Sequence, residues 1–161
     1  MLPELSTRLM PLLAAALLAL GAAPAAAQCP DWRLNGLELA YSNNDLRRPV
    51  AHPVLAGGNI DLGRCGSAPG YGFIAVRPDF TIQFYGNPGR RALEFRVQSN
   101  CDSVLLVNGT GGEWYFDDDS AGNLDARIRI NRAAEGIYDV WVGSLGATCQ
   151  GRLIVETFNS R

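Results

Sequence analysis

PDFTIQFYG, residues 78–86, sets apolar Phe80, Ile82 and Phe84 against polar Thr81 and Gln83, between a proline and a glycine. Alternation of that kind belongs to a strand with one face on a core, because successive side chains leave a strand on opposite sides. The same period returns along the chain. Leu93, Phe95 and Val97 alternate with Glu94 and Arg96; Ile128 and Ile130 with Arg127 and Arg129; Tyr138, Val140 and Val142 with Asp139 and Trp141. Leu153 and Val155 against Ile154 and Glu156 close the series, and Leu37, Leu39 and Tyr41 against Glu38 and Ala40 open it. Turn pairs such as Gly57-Gly58, Pro69-Gly70, Asn108-Gly109, Gly111-Gly112 and Gly122-Asn123 separate these runs. After the leader, no stretch repeats apolar residues at helical spacing over three turns. The pattern predicts eight or nine short strands whose apolar faces are buried when two sheets meet. The expected class is all-β, an antiparallel β-sandwich or jelly roll, with a closed barrel as the alternative.

The leader has its own composition. Arg8 precedes a run of mostly Leu and Ala over residues 9–20, and small residues stand at Ala25 and Ala27. That order is the signature of a secretory signal peptide, residues 1–27, with cleavage after Ala27. Gln28 directly before Cys29 does not suit lipid attachment, and no later segment is apolar for long enough to cross a bilayer. The expected location is secreted or periplasmic, without membrane insertion after cleavage. The 134 residues that remain of 161 suit one domain. Residues 78–158 read as its core. Residues 28–77, less regular and with SNNDLRRP at 42–49 as a loop, read as an N-terminal extension packed on the sandwich.

Four cysteines, Cys29, Cys65, Cys101 and Cys149, all follow the leader, and an even number in an exported chain predicts two disulfides. Three pairings exist. Cys29–Cys65 with Cys101–Cys149 is favoured because each bridge then closes a loop within its own half of the chain. The absence of any CxxC pair and the single histidine, His52, argue against a Cys/His metal centre. All fourteen basic residues are arginine, yet net charge is only −2, which gives no field to draw in nucleic acid or anionic lipid.

From residue 78 the segments PDFTIQFYG, LEFRV, CDSVLLVNG, GEWYFDDDSAGNLDARIRI, GIYDVWVGS and GRLIVETF follow in an order that resembles the bacterial pre-peptidase C-terminal domain family. The best-matching parts are Asp102-x-Val-Leu-Leu, the block 114–119 and Gly136-x-Tyr-Asp-x-Trp-Val-Gly; the match spans residues 78–158, about half of the chain. The resemblance implies a small β-sandwich with a non-catalytic accessory role in secretion, stability or attachment. Some members bind calcium or collagen through other positions, and no protease domain precedes the module in this sequence.

Within GEWYFDDDSAGNLDARIRI, residues 112–130, three aspartates stand side by side. Calcium takes six to eight oxygens, and short acidic loops with a glycine supply them. The candidate ligands are Asp117, Asp118, Asp119, Asn123 and Asp125, completed by Asp102. The spacing imitates an EF-hand loop but puts Ala121 at the fifth place and Ile128 at the twelfth, and strands flank it, so any site is a β-loop site. The other reading is a solvated hairpin paired with Arg127, Arg129 or Arg132. Trp114 and Tyr115, with Trp141, are candidates for an aromatic platform for a sugar ring or peptide, against the commoner use of aromatics in a core. Trp32 is read as packing the extension, and Asn108-Gly-Thr110 as a turn.

Catalysis has thin support. His52 has no GxSxG elbow to serve, and carboxylate chemistry would draw on Glu94, Glu113 or the three consecutive aspartates, all placed in turns or on outward strand faces. The expected function is a non-catalytic binding module for a protein or glycan partner in the envelope or medium. The alternatives are a small exported hydrolase built on carboxylates and a structural envelope protein.

Overall fold

The computed structural model describes residues 29–160; the predicted signal peptide lies outside them. Eleven strands are described: β1 (Leu37–Ser42), β2 (Val50–Ala56), β3 (Ile60–Asp61), β4 (Phe73–Ile74), β5 (Phe80–Tyr85), β6 (Ala92–Ser99), β7 (Ser103–Asn108), β8 (Trp114–Asp117), β9 (Arg127–Ile130), β10 (Gly136–Ser144) and β11 (Cys149–Phe158). They form two sheets. The second has the order β2-β11-β6-β9, antiparallel throughout. In the first, β10 lies between β7 on one side and β5 followed by β4 on the other; β1 flanks β5, β8 flanks β7 and β3 flanks β4.

The core between the sheets is the one the alternation describes. Phe80, Ile82 and Phe84, Leu93, Phe95 and Val97, Tyr138, Val140 and Val142, and Leu153 and Val155 are all buried in one cluster, with Ile128 and Ile130 at its margin. Leu39 and Tyr41 pack against that cluster, whereas Leu37, expected on the same face, lies ahead of it and is exposed.

Two features depart from the expectation. The described part of the segment expected as an extension, residues 29–77, is woven into the sandwich: it supplies β1, β3 and β4 to the first sheet and β2 to the second. In addition, β1 runs parallel to β5, with Leu39 opposite Ile82. Parallel neighbours need a long crossover. The chain makes it by passing through β2 in the other sheet before it returns through β3 and β4.

A second apolar cluster covers the outer face of the first sheet. Val104, Leu106 and Trp141 project there from β7 and β10 and are roofed by Ile60, Leu62, Cys65 and Ile74, with Trp114 and Phe116 beside them. All six residues of β7 are buried. Gly58 and Gly143 let the roof lie close: a Cβ on Gly58 would stand 2.0 Å from the Ile74 carbonyl carbon, and one on Gly143 2.5 Å from the Phe73 oxygen. The disulfides are Cys29–Cys65, which ties the first described residue to this roof, and Cys101–Cys149, which joins the β6–β7 turn to the start of β11. Both pairs agree with the pairing favoured from spacing.

Candidate functional groove

The roof covers only part of the outer face. Beyond it, β1, β5 and the first half of β10 turn Glu38, Ala40, Thr81, Gln83, Ile137 and Asp139 outward, and the loop before β1 and the β7–β8 turn rise on either side. The result is an open cleft of about 610 Å³ running into a hollow of about 340 Å³, which share Asn35 and Ile137.

Each wall has a local cause. In the first loop the Asp31 carboxylate accepts from Arg33 N (3.1 Å) and the Asp31 carbonyl from Leu34 N (3.1 Å), which closes a turn with Trp32 at its tip. That turn is fastened to the body by Asp31 N to Val76 O (2.8 Å), Arg77 Nη1 to Asn35 O (3.2 Å) and Gly36 N to Thr81 Oγ1 (3.0 Å). Trp32, expected to pack the extension, is 53% exposed and lines the cleft. Arg33 lies against its ring at 5.9 Å and pairs with Asp31. On the opposite wall, Gly109 N donates to Glu113 O (2.8 Å) and Gly112, at φ +82°, lets the chain turn back. Asn108 is buried, with its amide donating to Gly112 O, so the Asn-Gly-Thr sequence is a turn as expected.

Asp139 lies on the floor, 6% exposed. Its Oδ1 accepts from the Thr81 hydroxyl at 2.6 Å, and Thr81 in turn accepts from Gly36 N. Its other oxygen has no hydrogen-bond partner within the described chain and opens on the cleft. Burial pushes the Asp139 pKa up, opposed by the hydrogen bond from Thr81. Glu38 and Glu135 also line the two hollows, and no arginine does.

The residues singled out from the sequence fall outside the groove and are divided among several places. Trp114 and Tyr115, adjacent on β8, leave it on opposite faces: Trp114 packs with Trp141 in the outer cluster (ring centroids 5.5 Å apart) and Tyr115 against the inter-sheet core. Trp141 is fully buried. The three therefore make no common platform. The acidic loop is similarly divided. Asp117 accepts from Ser120 N (3.0 Å), the Ser120 hydroxyl and Arg127 N (2.8 Å); Asp118 accepts from the Tyr71 hydroxyl. Asp125 is buried and accepts from Ser99 N (3.0 Å) and Ser99 Oγ (2.8 Å), while Asn123 sits in the left-handed region at φ +54°. The bond to Asp118, then burial, then the charges of Asp118, Asp119 and Asp102 hold the Tyr71 pKa above its usual value, so Asp102 does face that corner. Among the described residues, no three His, Cys, Asp or Glu side chains are gathered to hold a metal ion.

The carboxylates considered for hydrolysis are likewise occupied. Glu94 is buried between Arg96 and Arg129 (3.0 Å each), and Arg96 also pairs with Glu156 at 2.9 Å. Glu113 accepts from Gly111 N (2.9 Å) and Tyr115 OH (3.1 Å). His52 Nε2 is 2.9 Å from the Tyr41 hydroxyl, and burial lowers its pKa. All four cysteines are disulfide-bonded.

Fold and cleft together define a disulfide-linked β-sandwich with an acidic groove on the outer face of one sheet. No family model, curated protein or solved structure matches the chain.

The groove residues carry a weak signal in the sequence. Ile137 and Asp139 share the outward face of the strand GIYDVWVGS, and an apolar residue there marks a face that meets something other than water. Trp32, Asn35 and Asn108 come from loops that only the fold brings to one place.

Proposed function

We propose that the protein is an exported, non-catalytic binding module whose ligand lies in the outer groove. The observation that carries this reading is the pairing of apolar surface, the exposed Trp32 and the half-exposed Ile137, with a recessed polar floor at Asp139. Ligand sites commonly combine apolar walls with a few placed polar groups. The two disulfides suit an oxidising compartment, which agrees with export by the predicted leader. An accessory role also agrees with the resemblance to pre-peptidase C-terminal modules.

Calorimetric titration with a panel of short peptides and neutral oligosaccharides tests the location. Trp32→Ala and Ile137→Ser are expected to abolish binding, whereas Leu55→Ser, at an exposed position on the second sheet, leaves it unchanged. Binding indifferent to both groove substitutions would remove the groove from the proposal. Turnover of any panel member, lost in Glu113→Gln, would replace it with the hydrolase reading.

A further inference from the structure

The walls and floor of the groove bear on what it takes, and the step rests on the binding reading above. Three carboxylates, Glu38, Glu135 and Asp139, line it, and Arg33, which lies against the Trp32 ring, is paired with Asp31, so the lining complements a cation. Of these, Asp139 is the recessed one, more than nine-tenths buried and with a single oxygen open to the cleft. Trp32 and Ile137 line the same cleft. A four-carbon stem can lay its methylenes against such apolar walls while its charged head meets the carboxylate. A guanidinium makes its best contact as a fork on two oxygens, and Thr81 already holds one of them at 2.6 Å. An ammonium, a compact point charge, needs only the other.

We propose that the groove binds a lysine side chain of a partner polypeptide, its ammonium seated on the free oxygen of Asp139 and its stem between Trp32 and Ile137. The partner is a different protein, because every basic residue of this chain is arginine and a second copy has no lysine to offer.

The same fact makes the test clean. Capped pentapeptides with a central lysine, arginine, Nε-acetyl-lysine or norleucine, and a glucosamine oligomer, are titrated against the full mature chain by calorimetry. Lysine is expected to bind best, with acetyl-lysine and norleucine weaker by about tenfold or more, the range typical of losing a desolvated charge partner. Asp139→Asn, which keeps an acceptor for Thr81, is expected to remove the preference for lysine while the melting temperature shows the variant folded. Carbodiimide coupling should then join the lysine peptide to Asp139, without self-coupling through lysine. Equal binding of lysine, acetyl-lysine and norleucine would overturn the ammonium site and leave the groove standing. Preference for arginine or for the glucosamine oligomer would overturn the lysine assignment, and no binding by any peptide at millimolar concentration would overturn it together with a peptide ligand for the groove.

Discussion

Asp79 stands just ahead of β5; its main-chain N–H still donates to Val140 O (2.8 Å), and its carboxylate accepts from Val142 N at 2.7 Å in place of a main-chain carbonyl. Burial pushes its pKa up to about 7, against the pull of that hydrogen bond. A raised carboxyl pKa means that the folded state holds the proton more tightly than the unfolded one. Its contribution is therefore complete below about pH 4 and is lost as pH rises through about 7, on the order of 4 kcal/mol over that window. Asp79→Asn keeps an acceptor for Val142 and removes the charge. It is expected to raise the denaturant midpoint at pH 8 and to change it little at pH 4; a destabilised variant at pH 8 would show that the carboxylate is favourable there. The acidic loop has a different expectation. With Asp117 and Asp118 engaged by Ser120, Arg127 and Tyr71, melting temperature is expected to be the same in millimolar calcium and in chelator, and a rise with calcium concentration would reveal a site formed by rearrangement.

At the scale of elements, β7 and β10 have apolar neighbours on both faces. Trp141 is fully buried in the outer cluster, with its indole N–H donating to Val76 O at 3.3 Å. Trp141→Ala is expected to cost about 3–5 kcal/mol in chemical denaturation, as for other buried aromatics; a loss below 1 kcal/mol would mean that the roof adds little to the core. Replacing Cys29 and Cys65 together by serine opens the loop between them, 36 residues in sequence separation, and is expected to cost about 2–4 kcal/mol. Because the Trp32 turn lies just after Cys29, that double variant should also weaken groove binding, measured by the same titration. The sequence made one of these layers plain. Phe80, Ile82 and Phe84 or Leu93, Phe95 and Val97 announce a single buried face by their period of two. The run Val104 to Val107 has no such period, which is what a strand covered on both sides looks like, but the residues that cover it come from the irregular stretch 58–76, where no periodicity marks a core. The groove was less legible still, since Asp139 becomes a site only when Thr81 holds one of its oxygens and the loop carrying Trp32 stands above it.

Across the whole molecule, the pairing of distant segments governs how the chain can be assembled. β11, the last strand, lies between β2 and β6 in the second sheet, with Val155 opposite both Val50 and Phe95. Neither β2 nor β6 can make that contact until residues 149–158 are present, and non-local pairing of this kind slows folding. A chain ending before Cys149 is expected to stay unfolded by circular dichroism, with no protected amides, while in the full chain the slowest hydrogen exchange falls in β7 and β10. A sheet whose inner strand is the last of the described strands in chain order has no early resting point. The two halves of the second sheet stay open toward each other until residues 149–158 enter between them.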